Sequence, residues 1–169
     1  MKKKMINIGK KAYKAQSFKI STKQKNKVLI KFASLLKLNI RKIIIENKKD
    51  VVIAKRMKLK ENLIQRLLLN KKTIEDIIAS VIKISKLKDP VDYVISKWSR
   101  PNGLIIKKVS IPIGVIGVIY ESRPNVTSDV SCLCFKAGNS VILKGGSEAF
   151  YSNKIISKLF RQALQNNKI

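Results

Sequence analysis

Residues 111–148 read IPIGVIGVIYESRPNVTSDVSCLCFKAGNSVILKGGSE. Two short apolar runs frame this stretch, residues 115–120 (VIGVIY) and 140–143 (SVIL). Apolar, β-branched runs without alternation suit strands buried on both faces of a parallel sheet. Residues 126–137 between them read as a helix. Asp129 falls in its first turn, where the positive end of the helix dipole favours a carboxylate. Gly138 and Asn139 close the helix, as these residues commonly do at a C-cap. Residues 150–164 read as another helix. Strand, helix, strand, helix in this order predicts the start of a doubly wound α/β sheet. Two or three parallel strands cannot cover both their faces and their edges, so the pattern predicts an incomplete domain.

Upstream, residues 1–90 read as a helical region. Ser21 opens a helix and Gln24 stands three positions on, the pattern of a capping box. Val28, Phe32, Leu35, Leu36, Ile40 and Ile43 form its apolar stripe at helical spacing. Residues 49–57 predict a second helix. Leu63, Ile64, Leu67 and Leu68 mark a third that ends near Asn70. Residues 73–87 predict a fourth, with Ile74, Ile77, Ile78, Val81 and Ile84 inward. Asp89-Pro90 stops it, because proline disfavours helix in the preceding residue. Residues 91–169 then form the first part of the α/β domain. Residues 104–109 predict a strand paired in a hairpin with 93–98 across the turn Arg100-Pro101-Asn102-Gly103.

The 169 residues carry a net charge of +27, which raises the prospect of nucleic acid or an anionic surface as partner. The distribution argues against it. Residues 1–90 hold 26 Lys and Arg against 6 Asp and Glu. Residues 110–150 are balanced, with Arg123, Lys136 and Lys144 against Glu121, Asp129 and Glu148. The excess is mostly lysine, and Tyr13, Phe18 and Phe32 sit at core spacing. A nucleic-acid binder would show arginine forks and exposed aromatics. Solvated lysine faces are the expectation. No apolar run resembles a secretory signal, and residues 111–120 are too short to span a bilayer. The expected location is the cytoplasm, with no membrane contact.

The chain has no histidine, which removes histidine-dependent triads and metal sites from its own repertoire, and no metal site is expected. Cys132 and Cys134 are one residue apart, so on a helix they point about 200° away from each other. Both are expected reduced, as small hydrophobes in a buried helix; a reactive thiol is the alternative.

In open α/β sheets, ligands bind beyond the carboxyl ends of the strands. Two loops lie there. Lys144-Gly145-Gly146-Ser147-Glu148 offers a cation, two glycines that let backbone approach a ligand, and a hydroxyl at a helix start. It reads as a nucleotide cradle or as an ordinary strand-to-helix turn. Glu121-Ser122-Arg123-Pro124-Asn125 places Arg123 either to clamp an anion or to pair with Glu121.

The block 111–148 resembles the glutamate-5-semialdehyde dehydrogenase (gamma-glutamyl phosphate reductase) family. GVIGVIYESRPNVT and the pattern GN-x-VIL-[KR]-GG-x-E carry the resemblance, and it extends upstream. There it runs through KNKVL (25–29), Asp50-Val51, NLIQRL (62–67) and Asp89-Pro90-Val91, so it covers nearly the whole chain as an N-terminal portion. The resemblance implies the aldehyde dehydrogenase fold, with a cofactor domain, a catalytic domain holding a nucleophilic cysteine, and a small oligomerisation arm. It implies reduction of gamma-glutamyl phosphate by NADPH in proline biosynthesis, through a thioester on the cysteine. By position, Lys144 would contact the adenosine ribose or its 2′-phosphate, and Gly145, Gly146, Ser147 and Glu148 would line the same pocket. Ser147 stands where related NAD-dependent enzymes often place a glutamate, which favours NADP. Arg123 and Asn125 would lie near the reacting carbonyl or the substrate's anionic groups.

The family's nucleophile lies further along than this chain reaches, and Cys132 and Cys134 do not match it. The chain alone is therefore expected to be inactive. The full-length family implies a homo-oligomer, with glutamate 5-kinase as a candidate partner. Two rival readings stay open: a basic, helix-rich protein that binds nucleic acid or acidic surfaces, and an inactive remnant that needs a separate C-terminal chain.

Overall fold

The structure is a computed structural model and describes residues 2–169. Five helices come first: α1 (Lys2–Gln16), α2 (Thr22–Leu38), α3 (Ile40–Arg56), α4 (Glu61–Leu67) and α5 (Lys71–Lys86). A hairpin of β1 (Val94–Ser99) and β2 (Ile105–Val109) follows, antiparallel as expected. Then come β3 (Val115–Tyr120), α6 (Pro124–Lys136), β4 (Ser140–Gly145), a 3-10 turn (Ser147–Ala149) and α7 (Phe150–Asn166). β3 and β4 pair in parallel, Val115 opposite Ser140 through Tyr120 opposite Gly145. The strand–helix–strand–helix reading of residues 115–164 is thus borne out.

The capping chemistry decides where helices start. Ser21 caps α2 with its side chain on the Gln24 amide, and the Gln24 side chain returns to the Ser21 amide. Asn70 and Thr73 form the same reciprocal box at α5, which moves its start to Lys71. The stripe read as one helix through Ile43 is two. Asn39 breaks it, and its amide hydrogens satisfy the last carbonyls of α2. Ile43 remains in the core, but from α3. α3 starts at Ile40, nine residues before the expected second helix. Pro124, with its φ preset for a first turn, starts α6 two residues earlier than expected.

One core joins α2, α3, α5, α6 and α7. Phe32 is fully buried and meets Phe160 edge-on, ring centroids 5.1 Å apart, and Phe135 meets Phe160 at 5.8 Å. Such T-shaped pairs contribute beyond the area they bury. Val28, Leu29, Leu36, Ile74, Val81 and Ile156 fill the remainder.

The parallel pair is not buried on both faces. Side chains alternate along a strand. Ile116, Val118 and Tyr120 turn toward α6 and α7, where the Tyr120 hydroxyl meets Thr127. Gly117 and Ile119 face the other way, and Ile119 is 86% exposed. The sequence pattern is that of a strand with two covered faces; α1 lies against β3 and β4, but Gly117 and Ile119 stay exposed among the described residues.

Polar contacts buried in the structure tie distant segments together. Asp50, 1% exposed on α3, accepts from the amides of Tyr151 (2.9 Å) and Ser152 (2.8 Å) and from the Ser152 hydroxyl (2.6 Å). It therefore caps the first turn of α7, a helix about a hundred residues away in sequence. Beside it, Asn47 donates to the Leu67 carbonyl and the Ser152 hydroxyl and accepts from the Leu69 amide. The second tie contradicts a uniformly solvated lysine population. Lys25 is 2% exposed and bonds both carboxylate oxygens of Asp89 at 3.0 and 2.9 Å. Thr22 and the Val91 amide also donate to Asp89. Lys136, equally buried, donates to Asn26 and to the Ser85 carbonyl.

Two outcomes follow from these ties. Asp50→Ala removes three charge-assisted bonds from a buried helix start and should lower unfolding free energy by about 2–4 kcal/mol in urea titrations. Burial pushes the Asp89 carboxyl up, but bonds from Lys25, Val91 and Thr22 outweigh it and hold the pKa below its ordinary 3.8. A lowered native pKa gives stability that is present above the unfolded value and lost as pH falls through the native one. Acid unfolding of Asp89→Asn should therefore lack that part of the pH dependence.

Candidate functional site

The two loops beyond the carboxyl ends of β3 and β4 meet each other. β3 and β4 end level, with Tyr120 opposite Gly145, so the loops that leave them start side by side. Ser122, in the first loop, is 4% exposed and has φ of +35°, a conformation costly for a residue with a Cβ. Glu148, in the second, accepts from the Ser122 amide at 2.6 Å and from its hydroxyl at 3.0 Å. Partial burial pushes the Glu148 carboxyl up. Bonds from backbone amides, its own and that of Ser122, and from the Ser122 hydroxyl, with the Lys144 charge nearby, outweigh it and hold the pKa low. Glu148 is thus an anion held by its neighbours.

The glycines have a concrete reason. A Cβ on Gly146 would lie 2.0 Å from a Glu148 carboxylate oxygen. A Cβ on Gly145 would lie 2.3 Å from the Asn153 amide nitrogen and 3.2 Å from the Tyr120 ring. Neither glycine has a positive φ. The space that the missing side chains leave is filled by this chain's own groups. Tyr120, Thr127 and Asn153 form a short relay behind Gly145, with Thr127 bonded to the Tyr120 hydroxyl at 2.6 Å and to Asn153 at 2.8 Å. Burial pushes the Tyr120 phenol up, against the Thr127 bond that lowers it, so it stays protonated at neutral pH.

The other expected residues are exposed. Lys144 reaches only the Gly145 carbonyl, at 3.3 Å, and Ser147 is open to solvent. Arg123 is exposed and forms no ion pair among the described residues, so it does not pair with Glu121. Asn125 is exposed and makes one long bond, 3.4 Å, to Asp129 one turn on. The Tyr151 and Ser152 amides in the first turn of α7 are not available to an anion, because Asp50 takes them. Sequence reasoning found the loops and gave no role to Ser122, Asn153 or Asp50. Only long-range contacts reveal these three.

Cys132 and Cys134 are free and buried. Burial pushes both thiols up, Cys132 far above the ordinary range. A buried, protonated thiol is a poor nucleophile. Among the described residues no group of three or more His, Cys, Asp or Glu could hold a metal, and no helix is long and apolar enough to cross a membrane. Native protein at pH 8 should leave both thiols unmodified by a disulfide reagent for as long as it stays folded, and denatured protein should release two equivalents. Rapid native labelling of Cys132 would overturn the assignment.

No protein-family model matches the chain. Individual proteins do. It is 48% identical over 167 residues to the gamma-glutamyl phosphate reductase of Carboxydothermus hydrogenoformans, covering 98% of this chain and 40% of that one. The crystal structure of the gamma-glutamyl phosphate reductase of Thermotoga maritima superposes with a TM-score of 0.91 at 42% identity, over 95% of this chain and 39% of that one. A putative aldehyde dehydrogenase of Bacillus subtilis, 22% identical, shares the fold over 95% of this chain and 33% of that one, with a TM-score of 0.70. The chain spans about two-fifths of the length of the reductases it matches. With its strand–loop pair in place and nearly its whole length aligned, the chain is homologous to the N-terminal portion of the gamma-glutamyl phosphate reductases and carries the aldehyde dehydrogenase fold.

Proposed function

We propose that this chain is the N-terminal part of an NADPH-dependent reductase that converts gamma-glutamyl phosphate to glutamate 5-semialdehyde in the cytoplasm. The observation that carries the reading is the paired-loop end of β3 and β4, on a chain 48% identical to a protein of that name. An acyl phosphate is made by phosphorylating a carboxylate, so a glutamate kinase is the class of enzyme that must supply the substrate. The solvent-exposed apolar hairpin, with Val94, Ile95, Trp98 and Ile105 all open, supports a homo-oligomer for the whole protein.

The residues present fit the phosphorylated nucleotide. Lys144 is exposed with no carboxylate bonded to it, Ser147 offers a neutral hydroxyl, and the second loop's own anion, Glu148, is engaged by Ser122. A 2′-phosphate at the second loop therefore meets an unpaired cation and no free carboxylate from that loop. Bound there, NADPH supplies the hydride. Lys144 binds the far end of the nucleotide, away from the chemistry. Gly145 and Gly146 keep the loop close to β4. Arg123 and Asn125, exposed at the end of β3, take the substrate's anionic groups. The two buried thiols do no chemistry, and the covalent step belongs to a cysteine outside residues 1–169.

Titration of the chain with NADP and NAD tests the nucleotide assignment. Lys144→Ala should weaken NADP binding roughly ten- to a hundred-fold, the size of one charge-assisted contact, and weaken NAD binding far less. Ser147→Glu should penalise NADP more than NAD. Equal affinities in wild type and both variants would remove the loop from the cofactor site.

A further inference from the structure

We infer that Glu148 is a positioning residue: it spans the two loops and holds the Ser122–Asn125 segment in place, rather than binding the nucleotide. The inference rests on the proposed reading only for the meaning of the loops, not for the contact itself.

Three independent features converge on this contact. Ser122 is nearly buried in a backbone conformation with φ of +35°, so something must hold it there. Both of its donors, amide and hydroxyl, end on one Glu148 oxygen. Gly146 has an ordinary extended backbone, φ −63° and ψ 155°, that any residue adopts. Its missing Cβ is accounted for by the Glu148 carboxylate folded over it, with both oxygens within 2.3 Å of the Cβ position. The glycine thus makes room for the carboxylate, and the carboxylate fixes the serine.

The serine immediately precedes Arg123, whose peptide starts α6, and Asn125 lies in the first turn of that helix. No side-chain cap holds this helix start. The direction in which Arg123 presents itself, and the chain's entry into the turn that carries Asn125, are therefore set by the backbone at Ser122, and through it by Glu148. The same contact engages the only carboxylate of the second loop, in which Lys144 and Ser147 are exposed. One residue keeps the first loop in register and leaves the second without a free negative charge.

Site-resolved amide hydrogen exchange on the 169-residue chain tests this. Glu148→Ala should speed exchange at the Ser122 amide by about ten-fold or more, and shift the Arg123 and Asn125 resonances, while the amides of β3 and β4 keep their protection. Gly146→Ala should reproduce the effect without touching the carboxylate chemically, because its methyl displaces Glu148. Glu148→Gln keeps one acceptor oxygen and should fall between wild type and Glu148→Ala. Unchanged exchange at Ser122 in both Glu148→Ala and Gly146→Ala overturns the inference. So does a loss of NADP affinity in Glu148→Ala as large as that in Lys144→Ala, which would make Glu148 a nucleotide ligand. If the wild-type chain takes no NADP, the nucleotide reading fails separately, and the exchange data still decide on Glu148.

Discussion

The carboxylate of Asp50 at the start of α7 is the contact on which the rest of the arrangement depends. A buried anion is tolerated only where donors replace its water, and here the first turn of α7 supplies two amides and a hydroxyl. The positive end of the helix dipole adds to the fit. The result is geometric as much as energetic. α3 and α7 are separated by the whole hairpin and sheet, and the Asp50 contact fixes them turn against turn. The segment just before α7 is the 3-10 turn that carries Ser147 and Glu148, so the position of the second loop is inherited from a helix in the first third of the chain.

The same contact changes what the second loop can do. Helix starts attract phosphates because their amides are unpaired. α7 has already spent the Tyr151 and Ser152 amides on Asp50, so these two cannot serve an anionic ligand at this end of the sheet. Lys144 is the exposed cation of the second loop. Glycines in such loops are usually read as openings for a ligand, yet here Asn153, Tyr120 and Glu148 fill the openings. The loop is packed from behind and exposed in front.

Local chemistry made much of this legible from residues alone. Runs of apolar β-branched residues located β3 and β4, the Ser21 and Gln24 pair located the start of α2, and Asp89-Pro90 the end of α5. Most of what stayed hidden depends on residues far apart. Lys25 and Lys136 look like two more solvated lysines among many, and only Asp89, Asn26 and Ser85 explain their burial. Ser122 reads as an ordinary loop serine until Glu148, 26 residues later, is brought to it. The break at Asn39 was missed because the apolar spacing runs on through it, while the capping bonds that end α2 depend on one amide side chain. The double-sided burial expected of β3 failed for a different reason. The pattern records the cover such a strand is built for, and Gly117 and Ile119 have none among the described residues.

That open face sets how the chain behaves in bulk solution. Among the described residues β3 and β4 each have one paired neighbour, so each has an unpaired outer edge, next to an exposed isoleucine. Such an edge is a template for pairing with another molecule. Opposing it is a net charge of +27 on 169 residues, which makes copies repel one another at distances of about 10 Å in dilute salt and much less in strong salt. The colloidal state of the chain is therefore a contest between a sticky edge and a charged coat. Salt weakens the coat and leaves the edge untouched.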